Sequence, residues 1–435
     1  MSATAVAPPR SVAAPLHRLA RALRRERTLF RAGAAVLAVH VLDRMVVQPW
    51  AGTPASDHLV SAAVPVAFLA LLGWAHPRLP GVVRGTVAIG LGMLAIVVAG
   101  VARHYGAVDG LSGPVLTGLL ALPAGVTLIG LGAVTLWRTR RTEGNLAWRY
   151  ARRGLLAGAA VVGVSLVMLP LGIAYVTTHA ARAIVPADEL GVAHENVSFT
   201  TSDGLTLRGW YIPSRNGAAV ISFPGRKGPQ RQARMLARHG YGVLLFDRRG
   251  EGRSEGQPNS WGWSGERDVK AAIAWLQKRP DVDRDRIGGI GLSVGGEMML
   301  EAAAETDQLK AVVSEGAGAR AFADEMDHPK VHGVERRLGA IVYGVRTVAV
   351  GVLSNQTPPH KLEDLVGRIA PRPLLLIAAP HSQNGEDLNR RFIRAAGEPK
   401  ALWEIPESKH VGGIDARPAE YERRMIGFFD RALRR

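Results

Sequence analysis

A serine flanked by glycines is the feature of this sequence that most directly suggests chemistry. Residues 291–295 read Gly-Leu-Ser-Val-Gly, the apolar run Ile287–Leu292 before the serine predicts a strand, and the residues after it predict a helix. A strand–turn–helix of this kind exposes the serine hydroxyl on a sharp turn that small neighbours permit. A serine hydroxyl is a weak nucleophile and requires a positioned base. Ser293 is therefore a candidate nucleophile that needs a partner elsewhere in the chain.

His410 is the candidate base. It follows the last predicted strand, Ala401–Ile405, by five residues, in a loop that precedes the final predicted helix. In the chain order expected for this kind of site the histidine comes last, after the serine and an acid. His328, His332, His360 and His381 all precede the last strand, so the sequence favours His410.

The third member of such a site is a carboxylate, and the sequence leaves three of them open. Glu315 follows an apolar strand that neighbours the strand of Ser293, although it could instead anchor the glycine-rich loop after it. Glu386 and Asp387 lie a few residues beyond the penultimate strand. Their alternative interpretation is structural, because Asn384 could cap a helix whose first turn favours acidic residues.

The region after about residue 190 alternates short apolar runs with helical stretches. Continuous apolar strands separated by helices are typical of a parallel sheet covered on both faces. The predicted strands are Val197–Thr201, Leu205–Ile212, Ala218–Phe223, Gly242–Phe246, Ile287–Leu292, Leu309–Ser314, Pro373–Ala378 and Ala401–Ile405. The predicted helices are 229–238, 264–278, 295–305, 387–396 and 418–433.

With these motifs in place, residues 190–435 resemble an α/β-hydrolase of the esterase or serine-peptidase type. The resemblance rests on the segments 223–226, 247–256 and 291–296, together with the loop of His410. It implies a doubly wound, mostly parallel sheet with a cap insertion at about 317–366. The segment 247–256 is expected to turn and brace loops rather than to react.

The resemblance also implies an oxyanion hole made by the backbone N–H groups of Val294 and Arg226. Many relatives carry His-Gly where this chain has Pro224-Gly225, but backbone donors do not require that histidine. The aspartate usual after the penultimate strand is also missing, and its position falls near Ser382. A neutral hydroxyl cannot balance an imidazolium, so we expect the acid to be one of the glutamates, with Asp387 as the remaining alternative.

The cap contains a mostly apolar stretch, Leu338–Leu353, in which Arg346 is the only charged residue. It predicts a helix that closes the pocket. Two other interpretations are an apolar wall for an acyl chain and a surface that rests on lipid.

The charge of the chain is concentrated in its first part. The chain of 435 residues has a net charge of +17, and residues 1–185 contribute 18 Arg, no Lys and five acids to it. These arginines lie between long apolar runs, which indicates membrane topology rather than nucleic-acid binding. The absence of Cys excludes disulfides, thiolate metal sites and a cysteine nucleophile.

Four apolar runs are long enough to cross a hydrocarbon core, which needs roughly 20 residues. They are Leu59–Ala75, Gly81–Val101, Leu111–Trp137 and Gly154–Thr177. A weaker fifth candidate, Arg31–Trp50, contains His40, Asp43 and Arg44 on one helix face, either as a buried polar face or as an intramembrane site. The sequence thus predicts a basic segment over 1–30 and an all-α transmembrane bundle over 31–178.

The arginines also predict the orientation of the chain. Residues 1–31 hold seven Arg and the loop 138–153 holds six, whereas the loop 51–57 holds none. Arginine-rich loops stay on the cytoplasmic side. The last span then leads outward, which predicts an integral plasma-membrane protein with an extracytoplasmic C-terminal domain.

The sequence as a whole predicts a membrane-anchored serine hydrolase that cleaves an ester or thioester of a small or lipid-like acyl substrate. Neither a metal nor a cofactor is required by this chemistry, and no nucleic-acid partner is expected. The alternatives are a peptidase of the same fold and a non-catalytic membrane sensor or scaffold.

Overall fold

The computed structural model describes residues 13–139, 145–179, 184–327, 332–382 and 385–434. The chain divides into two compact units, each described here by itself. The first unit comprises residues 1–44, 62–106 and 111–169, and the second comprises residues 45–61, 107–110 and 170–435.

Six helices supply most of the first unit. They are α1 (Ala13–Leu42), α2 (Leu59–Ala75), α3 (Gly81–Asp109), α4 (Gly113–Leu119), α5 (Ala121–Arg138) and α6 (Leu146–Thr178). The first residues of α2 and the last turns of α6 belong to the second unit. Within the described residues, five helical stretches are apolar and long enough to cross a membrane: Ala55–Arg78, Gly81–Asp109, Gly113–Arg138, Leu146–Thr178 and Gly333–Ser354.

This set differs from the sequence prediction at two places. The weak candidate Arg31–Trp50 is not among the five, because the polar residues of α1 and of the π-helical turn that follows it, Asp43–Val47, make this stretch less apolar. The stretch Leu338–Leu353 was predicted as a cap helix, and the helix that contains it, Gly333–Ser354, is also long and apolar enough to be among the five.

Glycines allow α3 and α5 to pack closely. A Cβ on Gly92 would lie 2.7 Å from the carbonyl oxygen of Gly125, and a Cβ on Gly125 would lie 2.7 Å from that of Gly92. Gly85 and Gly132 form a second contact of this kind seven residues along each helix. Small residues at this spacing let the two backbones approach, which is how apolar helices associate in lipid.

The polar group on α1 is turned into the first unit. His40 is 5% exposed, and its Nδ1 lies 3.2 Å from the Thr117 hydroxyl, which donates to Asp43 Oδ2 at 2.8 Å. The Arg44 guanidinium lies over the ring of Tyr105. These contacts favour the interpretation of a polar face buried in the bundle.

The second unit contains one eight-stranded sheet. Its strands are β1 (Glu195–Thr200), β2 (Thr206–Ile212), β3 (Ala219–Phe223), β4 (Gly242–Phe246), β5 (Ile287–Leu292), β6 (Ala311–Glu315), β7 (Leu374–Ala378) and β8 (Lys400–Glu404). They are ordered β1-β2-β4-β3-β5-β6-β7-β8, and β2 runs antiparallel to both of its neighbours whereas all later pairs are parallel.

All eight predicted strands are present, within two residues at each end. Five helices cover the two faces of the sheet: α7 (Gln230–Arg238), α8 (Glu266–Leu276), α9 (Val294–Glu305), α13 (Asn389–Ala395) and α15 (Pro418–Leu433). A short helix, α14 (Gly413–Ala416), precedes α15 and was not predicted. Two hydrophobic clusters, one on each face, contain the buried strand residues as alternating sets. The sheet is therefore doubly wound and mostly parallel, as the sequence resemblance implies.

The cap between β6 and β7 is helical. It contains α10 (Phe322–Met326), α11 (Gly333–Ser354) and α12 (Leu362–Leu365). Within the second unit, Ala349 and Val350 of α11 pack with Trp263 and with Leu171 and Ala174 from the end of α6. Much of the remaining apolar surface of α11 is exposed, including Val334, Leu338, Ile341 and Val348.

Candidate active site

Ser293 occupies the sharp turn between β5 and α9. Its φ of 53° and ψ of −128° lie outside the regions that most side chains adopt. The turn is tight because β5 enters α9 without a loop, and the N–H of Ser293 donates to the Glu315 carbonyl at 2.8 Å. A Cβ on Gly291 would overlap the carbonyl oxygen of Gly295, and one on Gly295 would overlap Pro224. The two glycines of the motif are therefore required by space at the turn.

His410 reaches Ser293 from the loop after β8. Its Nε2 lies 2.8 Å from Ser293 Oγ. The loop contains two tight backbone turns, and the residue after the histidine, Val411, has a φ of 49°. A Cβ on Gly316 would lie 3.2 Å from His410 Cε1, so the glycine after β6 leaves the imidazole its space.

Glu386 lies on the other side of the imidazole. His410 Nδ1 is 2.7 Å from Glu386 Oε1, and the Glu386 side chain is 1% exposed. The same carboxylate accepts the Ala379 N–H at 2.7 Å and the Ser382 hydroxyl at 2.8 Å. Gly385, with a φ of 72°, turns the chain so that Glu386 points back to the sheet edge. Ser382, at the position where relatives carry aspartate, thus supports the glutamate instead of replacing it.

Glu315 points to a different set of donors. Its Oε1 accepts the Gly413 N–H at 2.8 Å, and its Oε2 accepts the Tyr421 hydroxyl at 2.6 Å. Burial raises the pKa of the Glu315 carboxyl, and these two donors oppose that rise. Glu315 therefore anchors the chain just beyond His410, and the sequence expectation that it could contact the imidazole is not met in this geometry.

The other candidate residues from the sequence analysis are not part of the hydrogen-bonded series Ser293–His410–Glu386. His332, His360 and His381 are exposed. Asp387, next to Glu386 in the chain, is half-buried and is not the carboxylate that contacts His410 Nδ1. Asn384 and His328 fall outside the described residues. Within the described ranges, no group of three or more His, Asp or Glu side chains is arranged to hold a metal ion.

The expected oxyanion donor at Arg226 is engaged elsewhere. Its backbone N–H donates to Asp247 Oδ1 at 2.9 Å, and its guanidinium Nε donates to Asp247 Oδ2 at 2.8 Å. The sequence did not reveal this contact, because Arg226 and Asp247 are 21 residues apart and are brought together only by the adjacent strands β3 and β4. In this geometry the N–H of Arg226 is not available to an oxyanion. Val294, the other predicted donor, begins α9 directly after Ser293.

The segment 247–256 braces loops, in agreement with the sequence analysis. Arg249 pairs with Asp268 at 2.7 Å and with Asp203 at 2.8 Å. Burial acts to raise the pKa of Asp203, but hydrogen bonds from the Arg249 guanidinium and the Thr201 hydroxyl lower it to about 2. The segment fixes the chain beyond β4 without contacting Ser293 or His410.

A buried ionic group beside the site was missed by the sequence analysis. Glu297, one helical turn after Ser293, accepts the Gly318 N–H at 3.1 Å. Burial raises the pKa of its carboxyl to about 7, and the Arg320 guanidinium opposes that rise. Arg320 itself pairs with Glu301 at 2.5 Å. The sequence did offer a signal for this group, because Glu297 and Glu301 are four residues apart and so share one face of the helix that follows Ser293.

Comparison with known proteins finds one family match and several relatives, each over part of the chain. Residues 178–350 match the X-Pro dipeptidyl-peptidase (S15) family, a match that ends before Glu386 and His410. The chain is 28% identical over 254 residues to the uncharacterized protein YfhR of Escherichia coli K12, covering 55% of this chain and 81% of that protein.

A shorter match links the chain to the polyketide transferase grgF of a Penicillium species. It is 36% identical over 134 residues, which are 27% of this chain and 43% of that protein. Among solved structures, the α/β hydrolase GrgF gives a TM-score of 0.46 at 22% identity, over 56% of this chain and 100% of that one. The esterase Pf2001 of Pyrococcus furiosus gives a TM-score of 0.46 at 22% identity, over 58% of this chain and 98% of that one.

Proposed function

We propose that this protein is a membrane-anchored serine hydrolase that cleaves an ester or thioester bond through Ser293, His410 and Glu386. The observation that carries the proposal is the continuous hydrogen-bonded line from Ser293 Oγ to His410 Nε2 at 2.8 Å and from His410 Nδ1 to Glu386 Oε1 at 2.7 Å. Hydroxyl, imidazole and carboxylate in this order are the arrangement that activates a serine.

In the proposed mechanism Ser293 Oγ attacks the carbonyl carbon while His410 Nε2 takes the hydroxyl proton. The imidazolium that forms is stabilised by the Glu386 carboxylate, which the Ala379 N–H and the Ser382 hydroxyl hold in place. His410 then donates the proton to the leaving alcohol or thiol, and an acyl-serine remains. Water, activated by the same imidazole, releases the acid in a second step.

The oxyanion of the tetrahedral intermediate needs N–H donors. The proposal assigns one of them to Val294, the residue after the nucleophile. The second predicted donor, the N–H of Arg226, would have to leave Asp247 before it could reach the oxyanion. We assign this release of the Arg226 N–H from Asp247 to the binding of substrate against the loop 224–228.

A lipid-like acyl substrate is favoured by the cap. Val334, Leu338, Ile341 and Val348 of α11 are exposed, and the other side of the helix packs against the end of α6. Gly333–Ser354 is itself apolar and long enough to interact with a bilayer. This surface suits an acyl chain that leaves the bilayer.

Membrane anchoring and orientation belong to the same proposal. Four of the apolar helices precede the sheet, and the arginine-rich stretch 138–153, which includes the first turns of α6, lies at the start of the last of them. The excess of arginine favours a cytoplasmic position for that stretch. The sheet that bears Ser293 would then be extracytoplasmic, at the plasma membrane.

A peptidase activity is the second candidate, favoured by the family match over residues 178–350. The two candidates are separated by purified full-length protein assayed on p-nitrophenyl esters of increasing acyl length, on matched thioesters and on an Xaa-Pro p-nitroanilide. We expect ester or thioester turnover that Ser293→Ala removes, with the anilide uncleaved. Turnover of the anilide at the higher kcat/KM would favour the peptidase.

A further inference from the structure

A cavity of about 640 Å³ lies in the second unit, outside the line of Ser293, His410 and Glu386. Arg208 from β2, Arg226 from the loop after β3 and Arg253 from the loop after β4 line it, together with the hydroxyl-bearing Ser198. No carboxylate belongs to the described residues that line it. Asp247 pairs with the guanidinium of Arg226, so the excess positive charge of this concave surface comes from Arg208 and Arg253, and it attracts an anion.

The three arginines differ in how they are held. Arg226 is 6% exposed, fixed by Asp247 and stacked over Trp210 at 5.0 Å. Arg208 and Arg253 are exposed, and neither guanidinium pairs with an acid in the part of the chain that the structure describes. One fixed cation and two that can close over a ligand suit a group with several oxygens, such as phosphate, better than a carboxylate with two.

Strand order connects this cavity to the candidate active site. Arg208 faces Ser198 across the β1–β2 pair, and β2 is separated from β5 by β4 and β3. Neighbouring strands lie about 4.8 Å apart, so the backbones of β2 and β5 are roughly 14 Å apart. Arg226 follows β3, the direct neighbour of β5, and belongs to the loop predicted to contribute to the oxyanion hole. One ligand can therefore span from the arginines to Ser293.

The apolar wall of the cavity points to the source of such a ligand. Ile184, Val185 and Pro186 line it and follow Thr178, the last residue of α6, by only six to eight residues. A chain of six residues spans at most about 20 Å. The cavity thus lies near the end of an apolar helix of membrane length, where phosphate groups of lipids are found.

We propose that this cavity binds the phosphate group of a phosphorylated acyl ester whose carbonyl is presented to Ser293. The inference rests on the proposed function and narrows its substrate class to phosphate-bearing esters. The phosphate oxygens accept hydrogen bonds from Arg208, Arg226 and Arg253, and Ser198 adds a hydroxyl.

The first test compares two soluble substrates in the full-length protein, the butyrate ester of glycerol and the butyrate ester of glycerol phosphate. Arg208→Gln and Arg253→Gln are each expected to lower the ratio of kcat/KM for the phosphorylated ester to that for the neutral ester by at least ~10-fold, as loss of a charge-assisted hydrogen bond implies. The matched control is Arg368→Gln, at an exposed arginine outside the cavity. An unchanged ratio in both cavity variants overturns the proposal.

The second test does not depend on catalysis and so separates this inference from the proposed function. Titration calorimetry of Ser293→Ala with glycerol phosphate is expected to show binding that weakens at least ~10-fold when Arg208→Gln is added. Tighter binding of lysophosphatidic acid in detergent micelles than of glycerol phosphate identifies a lipid headgroup, and equal binding identifies a soluble phosphoester. If neither glycerol phosphate nor lysophosphatidic acid binds, the cavity is not a phosphate site, and this holds even if the neutral ester is hydrolysed.

Discussion

His410 Nδ1 lies 2.7 Å from Glu386 Oε1, and this contact selects one of the carboxylates that lie near the carboxyl edge of the sheet. Glu315 ends β6 beside the strand of Ser293, but both of its oxygens accept hydrogen bonds from Gly413 and Tyr421. The two glutamates thus divide two tasks. Glu386 contacts the imidazole itself, and Glu315 holds the loop that carries it.

Glu386→Gln should lower kcat on an activated ester by about 10³–10⁴-fold, the loss seen when the triad acid of a serine protease becomes an amide. The amide keeps the size of the side chain but cannot balance the imidazolium. Asp387→Asn is the matched control, because it makes the same change at the next residue and should stay near wild-type activity. A Glu386→Gln enzyme within tenfold of wild type would show that the acid is elsewhere.

Glu315→Gln should act mainly on stability. In the variant, the amide NH₂ group faces either the Gly413 N–H or the Tyr421 hydroxyl, and that donor loses its acceptor. A buried donor without an acceptor lowers the free energy of unfolding by about 1–3 kcal/mol. We expect a lower Tm by differential scanning fluorimetry and a kcat within roughly tenfold of wild type, since the loop of His410 loses one anchor. A loss of kcat as large as that of Glu386→Gln, at unchanged Tm, contradicts this division.

Glu297 predicts how stability depends on pH. Its pKa rises from the ordinary 4.5 to about 7 because it is buried. Between these values the folded state holds a proton that the unfolded chain has lost, so the contribution of Glu297 to stability falls as pH rises from about 4.5 to 7.

Glu297→Gln removes this titration and should therefore stabilise the protein at pH 8 relative to wild type, by up to about 3 kcal/mol, with a smaller effect at pH 5. Tm measured across pH 5–8 for both proteins tests this, and the exposed Asp307→Asn serves as control. If the Tm of Glu297→Gln differs from that of wild type by the same amount at pH 5 and pH 8, the pKa of Glu297 is not raised.

The sequence predicted the centre of the sheet well because β3 to β7 are buried on both faces and read as short apolar runs. It also named Ser293 and His410, because in the expected chain order the histidine follows the last strand, and the structure places their Oγ and Nε2 atoms 2.8 Å apart. Their catalytic roles stay a prediction. The sequence could not choose between Glu315 and Glu386. That choice depends on where Gly385, with its positive φ, turns the chain and on which donors lie nearby.

Two other features depended on contacts between distant segments. Arg226 and Asp247 are 21 residues apart, and only their position after adjacent strands, β3 and β4, brings the carboxylate to the N–H. The apolar character of α11 was visible in the sequence, whereas its packing against the end of α6 was not. Propensity and periodicity describe an element, and they do not identify its neighbour.

The predicted orientation can be tested directly, because the chain has no cysteine. Asp285→Cys introduces a thiol at a side chain that is 85% exposed in the second unit. Pro80→Cys introduces one between α2 and α3, two spans before the arginine-rich stretch 138–153 and so on the same, cytoplasmic side in the predicted topology. A membrane-impermeant maleimide added to intact cells should label Cys at 285 and spare Cys at 80 until the membrane is opened. The reverse pattern would place the sheet in the cytoplasm.

The central claim is that Ser293 is a nucleophile activated by His410, and covalent labelling tests it most directly. A fluorophosphonate probe reacts with activated serines, so purified wild type should be labelled and Ser293→Ala, with an unchanged Tm, should not. His410→Ala should also lose labelling, because the 2.8 Å contact that removes the hydroxyl proton is gone. Labelling of Ser293→Ala at the wild-type rate, or its absence from a folded wild-type protein, would contradict the account.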